Sequence, residues 1–203
     1  TYYDSISASA NITLDSIPRA SSVSAANMTM GTAGKINISR ASSSFTHTLT
    51  YSFGNSSGTI ATKTTATSVS WTPLLSLASQ IPNATSGTCT ITCTTYNGNT
   101  NIGSKTCTFS LSVPASVKPT ISSLTASRID GEVPSTWGIY VQTKSKVKLT
   151  INGAAGSYGS TIKSYTITGG GYSGSASTLT TGFLNNSGTI TFKATVTDSR
   201  GRV

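Results

Sequence analysis

Apolar and polar positions alternate along most of the chain. In residues 45–53, Phe45, Leu49, Tyr51 and Phe53 share one parity while Thr46, Thr48, Thr50 and Ser52 hold the other, and the same period of two runs through residues 35–40, 87–96 and 102–113. Side chains on a strand point alternately to opposite faces, so this period predicts strands with one face in a core and one in water. No segment of eleven or more residues carries an apolar stripe at helical spacing, and residues 74–81 are expected to hold one short helical turn at most. Turn residues punctuate the strands: Gly54-Asn55-Ser56-Ser57-Gly58 leads into 59–65, and Pro73 closes 69–73. Residues 87–96 and 102–113 read as a hairpin joined by Asn97-Gly98-Asn99-Thr100-Asn101. Further strands are expected at 120–127, 138–143 running into 146–151, 161–168, 176–181 and 188–197. The fold class is all-β, as tandem immunoglobulin-like (fibronectin III-like) β-sandwiches.

The chain has 203 residues, enough for two such sandwiches. Residues 1–20 read as a terminal strand, at 6–17, of a preceding domain or as a donated strand, followed by a linker. Residues 21–114 form the first sandwich, 115–119 (Pro114 and Pro119 bracket it) a semi-rigid linker, and 120–203 the second. An internal repeat ties the two together. Ser86-Gly87-Thr88-Cys89-Thr90-Ile91-Thr92-Cys93-Thr94 aligns without a gap to Ser187-Gly188-Thr189-Ile190-Thr191-Phe192-Lys193-Ala194-Thr195. After the repeat the first sandwich continues into a final strand, whereas the second lacks its last strand. Two explanations are open: the chain is part of a longer protein, or residues 6–17 of a neighbouring copy complete the second sandwich.

Composition narrows the chemistry. Charged residues are 9% of the chain, with fourteen Lys and Arg against five Asp and Glu and a formal net charge of +9. Such a chain is drawn to polyanions, although only Lys144-Ser145-Lys146-Val147-Lys148 concentrates the charge. Alternation puts Lys144, Lys146 and Lys148 on one face as a candidate polyanion contact, beside the plainer reading of a solvated edge. Cys89, Cys93 and Cys107 lack CxxC spacing and the chain has one His, His47, so a zinc site is not expected. The cysteines read as core thiols or, for Cys93 and Cys107, as a bridge across the hairpin if its turn centres on Thr100. The repeat favours thiols, since Ile190 and Ala194 fill two of the same positions.

Catalysis has few candidates. Asp130 and Glu132 flank Gly131 in an apparent turn, and His47 sits mid-strand with inward parity. No Asp-rich calcium loop or Gly-rich phosphate loop is present; Gly169-Gly170-Gly171 precedes a further β segment. Neither a cofactor nor a metal is expected. Trp71 and Trp137 read as core anchors. Tyr158, in Gly156-Ser157-Tyr158-Gly159-Ser160, and Tyr172 are candidate sugar contacts, set against ordinary sandwich packing.

Four separated segments carry a resemblance: Ile17-Pro18-Arg19-Ala20-Ser21, Phe45-Thr46-His47-Thr48-Leu49, Ile81-Pro82-Asn83-Ala84-Thr85-Ser86-Gly87-Thr88 and Thr197-Asp198-Ser199-Arg200-Gly201-Arg202. In this order they resemble a family of siphophage minor structural, or tail, proteins of Gram-positive hosts, and the resemblance spans nearly the whole chain. It implies a virion location and a role in a tail tip or fibre, with the Ile-Pro-Arg-Ala-Ser segment closing a preceding domain. It supplies no functional residues. Assembly in a reducing cytoplasm also favours thiols. The expectation is a non-enzymatic structural and adhesion module. Its partners would be other tail proteins or copies of itself, with a host polysaccharide or teichoic acid, but no specific nucleic acid and no membrane insertion. The competing reading is a bacterial surface adhesin or a filament subunit joined by strand exchange.

Overall fold

A computed structural model describes residues 7–13, 19–129 and 132–203. Eight strands build the first unit: β1 (Ser22–Ala25), β2 (Met28–Thr29), β3 (Gly34–Ser39), β4 (Phe45–Phe53), β5 (Ser56–Thr64), β6 (Ser68–Trp71), β7 (Ser86–Asn97) and β8 (Thr100–Ser112). They form two facing sheets, ordered β1-β3-β6 and β2-β8-β7-β4-β5, all antiparallel except the β2–β8 pair. The predicted parity holds where it matters most. Ile36, Leu49, Cys89, Ile91 and Leu111 are fully buried between the sheets with Phe53 beside them, while the alternating Thr and Ser side chains face outward. Each large apolar side chain removed from water in this way stabilises the unit by about 1.5–3 kcal/mol. A 3-10 turn, Leu75–Gln80, closes one end by burying Leu77 and Ala78.

Six strands build the second unit: β9 (Ser123–Ile129), β10 (Lys146–Asn152), β11 (Ile162–Gly169), β12 (Tyr172–Gly174), β13 (Thr178–Thr180) and β14 (Lys193–Asp198). Its sheets are β9-β10-β13 and β12-β11-β14, around Val147, Leu149, Ile151, Ile167, Leu184 and Val196. The fold is nearly all β, and both units are immunoglobulin-like, fibronectin III-like sandwiches.

Three expectations are corrected. Residues 138–143 form no strand: Arg128 donates through its guanidinium to the carbonyls of Val133, Pro134 and Ile139, at 2.6–2.8 Å, and holds this stretch as a loop. Trp137, on that loop, is 60% exposed and anchors no core, whereas Trp71 stacks on Tyr51 against the first core. Residues 188–192 are outside any ladder, so β14 begins at Lys193, five residues after the strand expected from Gly188. The segment crosses instead over the β11–β12 turn, where a side chain at Gly169 would collide with Thr191 and Phe192 backbone. Residues 7–13 make no ladder within the chain and are exposed; the rest of the expected 6–17 strand, apart from these, lies outside the described residues, as does Asp130.

Candidate functional site

Where the two sandwiches meet, one turn from the second reaches into the first. Residues 198–202, Asp-Ser-Arg-Gly-Arg, follow β14, and Gly201 adopts φ +82 so that the chain folds back, with Gly201 N–H donating to the Asp198 carbonyl. The Asp198 carboxylate, fully buried, accepts from the backbone N–H of Arg200 (3.0 Å) and Arg202 (2.9 Å) through Oδ1. Its Oδ2 lies 3.1 Å from Ser160 Oγ. This cap fixes the turn so that the Arg200 side chain, 7% exposed, points across the joint.

The five donors of a guanidinium sit in a rigid fork, which suits several fixed acceptors at once. Arg200 Nη2 donates to the carbonyls of Ala78 and Tyr158, both at 2.8 Å, Nη1 to Ser157 at 2.6 Å and Nε to Ile81 at 3.2 Å. Two of these acceptors belong to the closing turn of the first sandwich and two to the 153–160 loop of the second. Flanking contacts add to the span: Ser199 Oγ donates to Pro82 O at 2.8 Å and Arg202 Nη2 to Val113 O at 2.8 Å. Burial pulls the Arg200 pKa down; the Asp198 carboxylate opposes that and the neighbouring Arg202 charge adds to it. The connecting segment is tied down too. Val117 is buried in the first core, Ser157 Oγ donates to Lys118 O at 2.6 Å, and Thr120 bridges to Ala155.

The residues singled out from sequence are scattered. Lys146 and Lys148 lie on β10, but Lys144 precedes it in a turn and pairs with Glu132, so the three do not form one strand stripe. Lys146 Nζ stands 4.7 Å from the centre of the Phe183 ring. Tyr158 is at the joint with φ +49, its carbonyl taken by Arg200 and the residue 39% exposed. The Tyr172 hydroxyl is engaged, donating to Phe183 O and accepting from Asn185 N–H.

Cys89, Cys93 and Cys107 are free thiols, and the register explains why the Cys93–Cys107 bridge is not made. The β7–β8 turn centres on Gly98 and Asn99, with an irregularity after Thr95, so Cys93 lies opposite Lys105 and Cys107 opposite Ile91. Burial pushes the Cys89 and Cys93 thiols up to about 11, which leaves them protonated and unreactive.

His47 is fully buried, as its parity indicated. Its Nε2 lies 2.8 Å from Ser21 Oγ, and Ser21 N–H donates to Thr95 Oγ1, joining the start of the sandwich to its middle strands. Burial, aided by the Arg40 charge, lowers its pKa. The unfolded chain therefore binds an extra proton as pH falls through about 6.5 while the folded chain does not, so stability is lost on acidification below that value. Urea midpoints at pH 7.5 and 5 are expected to drop for the native chain and to drop less for His47→Gln.

In the second sandwich Trp137, Ile139, Tyr140 and Phe183 are exposed by 36–60%, and Lys146 Nζ stands over the Phe183 ring. Among the described residues no three His, Cys, Asp or Glu side chains converge, and no helix is long and apolar enough to cross a membrane.

A sequence-family model described as "Siphovirus protein of unknown function (DUF859)" matches residues 5–203. No curated protein matches significantly. Among solved structures, the fibronectin(III)-like modules of Clostridium thermocellum CbhA match at 14% identity and a TM-score of 0.33, covering 89% of this chain and 88% of that one. Titin domains A168–A170 match at 17% and 0.35, covering 87% and 57%, and a Dscam structure at 12% and 0.34, covering 89% and 44%. The chain thus spans less than two thirds of the latter two.

Proposed function

The chain belongs to this siphovirus family, and from that premise we propose that it is a non-enzymatic structural and adhesion module of the phage tail, a stiff spacer in a fibre or tip that brings an exposed end to the host surface. The observation that carries the reading is the Arg200 joint. Tandem domains joined by a bare linker move independently by default. Here a buried guanidinium satisfies carbonyls of both sandwiches while the linker itself is pinned. Holding a fixed angle between two units is useful to a protein that transmits position, and the mainly hydroxyl-bearing surface has little to offer acid–base chemistry.

Exposed aromatic faces beside lysines suit stacking on sugar rings together with attraction to phosphate or carboxylate groups. Phe183 with Lys146 over its ring, and the exposed Trp137 and Tyr140 of the preceding loop, support a cell-wall polysaccharide or teichoic acid as the surface touched. Gold-labelled antibody against the chain should decorate phage tails, and the purified chain should sediment with host cell walls in low salt and be released as salt rises. Labelling of capsids alone would sink the tail assignment. Unchanged wall binding by a Trp137→Ala, Tyr140→Ala double variant would sink the proposed contact.

A further inference from the structure

Between Asp15 and Asp130 the sequence holds no acidic residue, so the first sandwich carries Lys35, Arg40, Lys63 and Lys105 with no carboxylate to offset them. A compact unit charged with one sign repels itself, and the field it creates draws partners of the opposite sign. Lys35 lies on β3 opposite Ser70, toward the closing 3-10 turn. Arg40 and Lys63 lie at the other end, beside the β7–β8 hairpin. There Phe45 pairs with Asn97, Thr64 faces His47, and Arg40 Nη1 donates to Thr65 O at 2.7 Å.

A distortion of β5 brings Lys63 over that end. In the β4–β5 ladder Thr64 faces His47 and Ala61 faces Leu49, so Thr62 and Lys63 together oppose Thr48 as a bulge. Lys63 takes φ +43, a left-handed conformation that lysine enters at a cost and glycine enters freely, and its N–H is satisfied by Thr48 Oγ1 at 3.2 Å. Its Nζ stands 4.9 Å from the centre of the Tyr96 ring and 3.1 Å from Asn99 Oδ1, and the residue stays exposed. Bulges re-aim side chains at functional places, and backbone strain is kept where a site needs it. An exposed ring and an exposed amide give little in return for that strain.

We propose that Arg40, Lys63 and the tip of the β7–β8 hairpin form an anion-binding end of the first sandwich, and that its ligand is the polyol-phosphate chain of a wall polymer of the teichoic acid kind. Lysine holds phosphate as a point charge, Arg40 supplies a second cation, and the exposed Asn97 and Thr100 offer an amide and a hydroxyl to the hydroxyl groups of the polymer. Nucleic acid fits less well. Single strands are held by stacking bases on aromatic rings, and the ring at this end, Tyr96, is covered by Lys63. The choice of polymer rests on the tail reading; the anion site does not, and it is separate from the Trp137 and Phe183 surface of the second sandwich.

The test titrates the full chain with a glycerol phosphate oligomer, followed by amide chemical shifts. Shifts centred on residues 63–65 and 96–100 are expected. Lys63→Gly should lose affinity several-fold and show a flatter dependence on salt, because one phosphate contact fewer releases fewer counter-ions. Glycine also relieves the positive φ, so the same variant should hold or raise its urea midpoint while it loses binding. Lys35→Gln removes the same charge from the other end and should bind like the native chain. Unchanged affinity in Lys63→Gly, or an equal loss in Lys35→Gln, overturns the site. A lowered midpoint in Lys63→Gly overturns it too, since Lys63 then serves to pin the hairpin. Equally tight binding of a single-stranded DNA oligomer of the same charge overturns the choice of polymer. Failure of the antibody to label tails, with this titration succeeding, strikes the tail reading and leaves the anion site in place.

Discussion

Replacing Arg200 by alanine should destabilise the chain by about 2–4 kcal/mol, the cost of leaving buried acceptors without their charged donor, and free the two sandwiches to unfold separately. The guanidinium makes no hydrogen bond to Asp198, whose carboxylate keeps the Arg200 and Arg202 backbone N–H groups and Ser160 Oγ in the variant, so the loss falls on the joint. Four carbonyls, of Ala78, Ile81, Ser157 and Tyr158, would lose their donor. Water entering the space would satisfy some of them, which is why the figure is not simply four lost hydrogen bonds. Against a typical domain stability of about 5–15 kcal/mol this is a large fraction. Arg200→Lys keeps the charge but replaces a planar fork with a point donor that cannot serve both sides of the joint at once, so it should recover less than half of the loss. Urea denaturation followed by tryptophan fluorescence, which reports Trp71 in the first sandwich and Trp137 in the second, would resolve the transitions. Small-angle X-ray scattering should show a broader distribution of interdomain distances. A single transition at the native midpoint for Arg200→Ala would mean that the joint carries no coupling.

The importance of this turn was the least legible part of the sequence, whereas most strands could be read directly. Where a strand is flanked on one face by a core and on the other by water, as in 45–53 and 87–96, alternation reports its position to within a residue or two. The same rule misread 138–143, because Gly138-Ile139-Tyr140-Val141 alternates too, and nothing local tells that a guanidinium five to eleven residues upstream takes the carbonyls of 133, 134 and 139. It also overextended the strand at 188–192, since a strand requires a neighbour as well as a pattern. The hairpin register turned on which two residues make the turn, and Gly98 at φ +61 decided it against a centre at Thr100. Asp198 and Arg200 enter the sequence reading only within the 197–202 segment, with no role assigned. One signal pointed to them: in a chain with five acidic residues, an Asp two residues before one Arg and four before another is a concentration of charge that a plain solvated turn does not need.

Substituting Gly156 by alanine tests the joint from the opposite side. A Cβ at this position would overlap the backbone carbonyl of Ser160, and a backbone obstacle cannot rotate away as a side chain does, so the 153–160 loop has to move. Forcing extra volume into a tight site costs about 1–3 kcal/mol on its own. More is expected here, because the displaced loop holds the Ser157 and Tyr158 carbonyls that Arg200 engages, and Ser160 Oγ, which shares one proton between Ser157 O and Asp198 Oδ2. Gly182→Ala is the matched control: a Cβ there meets nothing within 4 Å, so its midpoint should move little. The two joint variants also define a cycle. If Gly156→Ala acts by withdrawing acceptors from Arg200, then adding it to Arg200→Ala should cost clearly less than it does in the native chain, since contacting sites are non-additive. Full additivity would mean that the loop is strained independently of Arg200, and that the clamp holds the first sandwich without depending on the shape of the second.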